Sequence, residues 1–198
     1  MSAAKRGLSG PNGRAAHRRP RSRCGLAVAL CATALTHAAV GVSGAQAQER
    51  AEREYEVKAA FLYNFTKFVE WPDDSGTDRR ICVLGADPFG SALEVLAGRV
   101  TRGKTVEILR LDSVGEAARC HVLFISSSVG HDLGTILDAL SSDSILTVGE
   151  TGRFAERGGM IALDTYKNRI RLRINLEATV RADLDLSSHL VRLAEILD

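Results

Sequence analysis

Residues 81–85 (ICVLG), 121–126 (HVLFIS) and 144–148 (SILTV) are short, mostly apolar runs, each bounded by polar or turn-forming residues. A strand with one wet face alternates apolar and polar side chains, whereas a strand that is apolar throughout must be covered on both sides. The segments between them read as helices. Asp87-Pro88 predicts an N-cap with proline at the first helical position, and the helix runs to about Ala97 before Gly98 closes it. Lys104–Leu111 reads as another strand, Asp112 as the cap of a short helix, and residues 130–140 as a third helix. This alternation predicts an α/β fold: a mostly parallel sheet flanked by helices on both faces.

The pattern changes after Gly149. Residues 160–164 and 168–175 are separated by a turn-like Thr165-Tyr166-Lys167, and in the second run Arg169, Arg171 and Arg173 alternate strictly with Ile170, Leu172 and Ile174. A period of two marks a half-exposed strand, so a C-terminal antiparallel hairpin is expected. A terminal helix starts at Ser187-Ser188 and runs to the end, with Leu190, Leu193 and Ile196 toward the core.

The first 47 residues have a different composition. All 24 acidic residues lie at or beyond Glu49, while Lys5, Arg6, Arg14, Arg18, Arg19, Arg21 and Arg23 charge the start positive. An apolar run from Cys24 to Val42 then leads to Ala45-Gln46-Ala47, the layout of a cleaved export signal. The expected organisation is a signal peptide over 1–47 and one α/β domain over 48–198, working outside the cytoplasm. Without the signal, 19 Lys and Arg face 24 Asp and Glu, a formal charge of −5. That balance argues against nucleic acid as a partner, because binding it takes clustered cations.

Six of the ten aromatic residues, Tyr55, Phe61, Tyr63, Phe65, Phe68 and Trp71, fall within seventeen positions, the first five of them on a segment free of Gly and Pro from Glu49 to Val69. Helical spacing puts Val57, Phe61, Phe65 and Phe68 on one side, and Pro72 stops the helix. The simplest use of that side is core, each ring contributing about 1.5–3 kcal/mol on leaving water. A membrane-surface helix is disfavoured, because Glu52, Glu54, Glu56 and Glu70 outnumber Lys58 and Lys67 on the polar side. Tyr63 and Trp71, at the helix end, are candidates for contact with a partner or ligand.

Catalytic and metal-binding constellations do not assemble from the pattern. Ser126, Ser127 and Ser128 follow a strand, and His131, Asp132 and His189 are available, but FISSSVG lacks the G-x-S-x-G turn that exposes a nucleophile. His121 and His131 have no second ligand at helical or hairpin spacing, so no metal is expected. No cofactor is expected either: GADPFGS has neither the P-loop lysine nor dinucleotide-loop spacing. A strand-to-helix loop can still hold an anion or small polar ligand, which makes Gly85, Asp87, Phe89, Gly90 and Ser91 a candidate pocket. Arg169, Arg171 and Arg173 read as a solvated face or as a surface for an acidic partner. Beyond the signal, Cys82 and Cys120 are the remaining cysteines; outside the cytoplasm they read as one disulfide or as two buried thiols.

Six segments in order, KAAFLYNFTKFVEWP, ICVLGADPFG, RCHVLFIS, GRFAERGGMIAL, NRIRLRINLEA and LDLSSHLVRLA, resemble the YfiR family of small exported bacterial proteins over residues 55–195. The resemblance implies a non-enzymatic periplasmic repressor that binds the periplasmic region of a membrane diguanylate cyclase and is relieved through an outer-membrane partner. It also implies a Cys82–Cys120 disulfide. The family's second cysteine pair is missing, since GRFAERGGMIALD contains none. Another membrane receptor such as a sensor kinase, controlled by a small ligand, is the alternative, and a homodimer stays open. Mass spectrometry of the exported protein should give a chain beginning at Gln48; an intact start at Met1 would refute the signal.

Overall fold

The computed structural model describes residues 25–73, 75–76 and 78–197, with side chains from Gly44 onward. The basic start of the expected export signal, residues 1–24, lies outside them. Helix α1 (Gly25–Phe68) carries the aromatic segment. It buries Ala59, Leu62 and Phe65, and Val69, just past its end, continues the same stripe. That stripe is rotated from the one the aromatics predict: Val57 is 47% exposed, and Phe61 and Phe68 pack half-buried beside the core. Small Ala59 and Leu62 let the helix approach the strands, and the larger rings fill its flanks. Among the described residues no helix is long and apolar enough to cross a membrane.

Short β1 (Val69–Glu70) leads through Pro72 to β2 (Asp78–Leu84). The helix expected after Asp87 shrinks to one turn, α2 (Ser91–Glu94), entered through Gly90 at φ 53°. Asp87 does not cap it: one carboxylate oxygen accepts the Phe89 N–H at 2.8 Å, and the other takes Arg110. Then follow β3 (Val100–Thr101), β4 (Lys104–Leu111), a 3-10 turn over Val114–Arg119, β5 (Val122–Ile125), a second 3-10 turn over Ser127–Asp132, α3 (Leu133–Ala139) and β6 (Leu146–Gly149). The C-terminal hairpin is β7 (Ile161–Tyr166) and β8 (Arg169–Asn175), followed by α4 (Leu176–Arg181), β9 (Asp185–Leu186), α5 (Ser188–Arg192) and β10 (Glu195–Leu197).

Eight strands form one sheet in the order β10-β8-β7-β6-β5-β2-β4-β3. Strands β4, β2, β5, β6 and β7 run parallel, and β7–β8 is antiparallel, as the alternation predicts. Its turn is Lys167-Asn168, both at positive φ, the geometry that matches strand twist in two-residue hairpins. Both faces are covered. Ile81, Val83, Val122 and Phe124 join the α1 side, while Cys82, Leu84, Leu123 and Ile125 join Leu133, Ile136 and Phe154 on the other. The Cys82–Cys120 disulfide, spanning 38 positions, staples β2 to the entry of β5. A two-stranded β1–β9 pairing ties the end of α1 to the C-terminal segment.

The last helix is shorter than its periodicity suggests. Ser187 caps α5, and Leu190 is buried, but Leu193 is 63% exposed and the chain turns into edge strand β10 beside β8. In the β6–β7 connection the ring of Phe154 is fully buried between Gly149 and Gly159, where an added Cβ would overlap it from either side. Gly149→Ala or Gly159→Ala should therefore cost about 1–3 kcal/mol by overpacking, measured by denaturant unfolding. Phe154→Leu in the Gly159→Ala background should recover part of that loss, and strict additivity of the two changes would refute the packing account.

Candidate interaction surfaces

The strand connections reverse direction between β2 and β5, since β2 leads to β4 on one side and β5 to β6 on the other. In open α/β sheets such a reversal opens a binding crevice at the carboxyl ends of the strands. Here the chain fills it. The Ser128 hydroxyl accepts the Ala86 N–H at 2.9 Å, and a Cβ at Gly85 would lie 2.6 Å from that hydroxyl and 3.1 Å from Val129. Phe89 is buried edge-on against Tyr55 and Phe124, with centroids at 5.4 and 4.7 Å. The open space lies one layer outward, a cleft of about 410 Å³ lined by Phe89, Gly90 and Ser91 from the loop and by Gln48, Glu52 and Tyr55 from α1. Gly85 and Asp87 are not on its walls.

Next to this cleft lies a polar cluster that periodicity does not reveal. Lys58 is 3% exposed and is held between Glu54 at 2.5 Å and Glu150 at 2.6 Å. Thr165 donates to Glu54 at 2.6 Å, and the Tyr55 hydroxyl donates to Glu150 at 3.1 Å. Burial pushes the Glu54 carboxyl up, but hydrogen bonds from Lys58 and Thr165 outweigh it and hold the group below its ordinary value. Burial, followed by the charge of Glu150, pushes the Tyr55 phenol to about 12. The cluster fastens α1 to the end of β6 and to the hairpin. A lysine three positions from Tyr55 carries no sign of its burial, because Glu150 is 92 positions away.

Trp71 is only 7% exposed, with the Arg79 guanidinium 4.4 Å above its ring and His121 edge-on at 5.5 Å. What it offers a ligand is one wall of a second cleft of about 500 Å³ at the amino ends of β2, β5 and β6, shared with Arg80, Arg119, His121 and Asp143. Tyr63 is half-buried; its hydroxyl reaches the Val100 carbonyl at 3.4 Å, and Lys67 lies 4.1 Å over its ring. The arginine stripe divides. Arg173 is committed to Asp164 and Glu156, Arg171 stacks 4.2 Å over Tyr166, and Arg169 and Arg171 are exposed.

The serines and histidines weighed for catalysis are distributed among structural roles. Ser126 caps the turn after β5 and accepts from Ser128, His131 pairs with Asp132 at 2.8 Å on the surface, and His189 packs against Phe68 with centroids at 5.2 Å. No group of three or more metal-ligating side chains occurs among the described residues.

These features define a mixed α/β domain, its mostly parallel sheet covered on both faces. The chain belongs to the YfiR/HmsC-like family (DUF4154), whose model matches residues 55–195, and the family is one of regulatory, non-catalytic periplasmic proteins. No curated protein matches the chain. Among solved structures it is similar to the ABC domain in complex with L-Trp from Streptococcus pneumonia, at 10% identity over 69% of this chain and 59% of that one, with a TM-score of 0.47. A conserved domain protein from Vibrio cholerae O1 biovar El Tor is similar at 12% identity over 61% and 55% of the two chains, also with a TM-score of 0.47. The chain thus spans less than two thirds of either structure's length.

Because the Tyr55 phenol is raised in the folded protein from its ordinary 10.0 to about 12, its contribution to stability is complete below pH 10 and is lost as pH climbs toward 12. Urea midpoints measured across that window should fall more steeply for the native protein than for Tyr55→Phe. Parallel slopes would refute the buried pairing with Glu150.

Proposed function

We propose that this protein is a periplasmic, non-enzymatic regulator that binds the periplasmic region of a membrane-bound diguanylate cyclase and holds it inactive. Family membership over residues 55–195 is the observation that carries the reading. The export-type N-terminus supports it, as does the placement of Ser126 and Ser128 in caps and loop bonds rather than in a nucleophile arrangement. A binder shifts its partner's equilibrium only by its differential affinity for the two states. About 3 kcal/mol of difference keeps more than roughly 99% of the partner off. Arg169 and Arg171, exposed on the hairpin, supply charge for an acidic partner surface; Tyr63 and Trp71 lie on another part of the molecule and, on this reading, serve mainly to shape it. Relief by an outer-membrane partner completes the proposed cycle.

A second reading follows from the clefts of about 500 and 410 Å³, which fall in the size range of small-ligand pockets. On that reading the protein is a sensor whose ligand controls contact with a receptor such as a sensor kinase. Deleting the gene should raise cyclic-di-GMP several-fold, and the protein should co-purify with a membrane cyclase. Unchanged cyclic-di-GMP with no cyclase recovered would sink the cyclase assignment, and strong thermal stabilisation by one metabolite would then favour the sensor.

A further inference from the structure

Part of the outer edge of β8 is open. Strand β10 pairs only with Arg173, Ile174 and Asn175, so residues 169–172 meet no strand on that side among the described residues. In a two-residue hairpin the residues flanking the turn, here Tyr166 and Arg169, exchange both backbone bonds, and the pattern then alternates. Arg169 and Arg171 thus direct their backbone groups to β7, and Ile170 and Leu172 direct theirs outward. The β10 pairing agrees, since it centres on Ile174, the next residue of the outward set.

Side chains divide by the same period. Arg169, Arg171 and Arg173 share one face, and Ile170, Leu172 and Ile174 the other. Arg173 is spent on Asp164 and Glu156, whereas Arg169 and Arg171 make no ion pair among the described residues. The Arg171 guanidinium lies 4.2 Å over the Tyr166 ring, and a guanidinium held by an aromatic face keeps N–H donors for a carboxylate. The chain's own tail displays what this edge accepts. In β10 Glu195 is registered against Arg173 and Ile196 against Ile174, an acidic residue beside an arginine and an apolar one beside an apolar one.

We propose that residues 169–172 of β8 take up an extended acidic segment of the regulated protein by strand addition. Carboxylates at alternate positions meet Arg169 and Arg171, the intervening apolar residues lie beside Ile170, and backbone bonds run to Ile170 and Leu172. The identity of the partner rests on the regulatory reading above; the chemistry of the edge does not.

The probe is a blocked octapeptide of alternating glutamate and valine, with a lysine-for-glutamate version and a fully N-methylated version as controls. Titrated into the purified protein, the acidic peptide should slow amide exchange of Ile170 and Leu172 by roughly tenfold or more and leave Arg169 and Arg171 unchanged. The two control peptides should leave the exchange of all four amides unchanged. The double variant R169E/R171E, altered at exposed positions and checked for an unchanged unfolding midpoint, should lose at least about tenfold in affinity for the acidic peptide. Absence of binding, protection confined to other amides, or equal binding to R169E/R171E overturns the proposal. In cells, a deletion that raises cyclic-di-GMP beside an R169E/R171E strain that does not would remove the edge and leave the regulatory reading intact. A silent deletion would remove that reading, and the peptide result would stand alone.

Discussion

The structure depends on keeping water from both faces of β2, β5 and β6. These strands carry apolar side chains in both directions, Val83 and Phe124 to one side and Leu84 and Leu123 to the other. Neither face is stable when bare, since each fully buried side chain of this size is worth about 1.5–3 kcal/mol. One cover is assembled from neighbours in sequence, α3 and the Phe154 turn. The other is α1, which precedes every strand, together with α4 and α5, which follow nearly all of them. The α1 face thus closes only when the two ends of the domain meet, and β1–β9 pairing with Ser187 donating to the Phe68 carbonyl at 2.8 Å marks where they do.

Lys58 shows how this closure is made specific. An apolar stripe alone would let α1 slide or rotate, because burial has no direction. A lysine at 3% exposure with carboxylates on two sides has one favourable position, and removing both carboxylates would leave a buried charge without compensation. Glu150 comes from the end of β6 and Thr165 from the hairpin, so one cluster registers α1 against two parts of the sheet. Arg79, at 1% exposure and 4.4 Å over the Trp71 ring, is another large charged group taken inside, at the opposite end of the strands.

Local pattern made some of this legible. Continuous apolar strands announce themselves by composition, and the arginine alternation of β8 announces a half-wet strand, because both signals are carried by adjacent residues. What stayed hidden depends on distant partners. Asp87-Pro88 reads as a helix start, yet Asp87 is drawn to Arg110 from β4, and the helix is reduced to one turn. Glu195-Ile196-Leu197 continues a helical period and becomes a strand because β8 offers an edge. Lys58 looks like solvated charge paired with Glu54 on a helix, and Trp71 looks like an exposed aromatic at its end; Glu150 closes over the first, and Arg79 and His121 over the second, and no spacing rule connects them. Among the candidate pocket residues, Phe89, Gly90 and Ser91 border open space, while Gly85 lies off the cleft and permits the close approach of Ser128.

A fold that spends most of its aromatics and the loop after β2 on internal contacts has limited means of recognising anything. Apart from the two clefts, the outside offers backbone at the open edge of β8 and the charge of Arg169 and Arg171, which pair with no carboxylate among the described residues. Those two coincide on β8. An edge strand is ordinarily a liability, because its unpaired backbone recruits other chains indiscriminately, and charge on the strand is one of the devices that limits this. Arginines at alternate positions repel a cationic or a second like strand and admit an acidic one. The feature that protects this edge from aggregation is therefore the same feature that selects its partner.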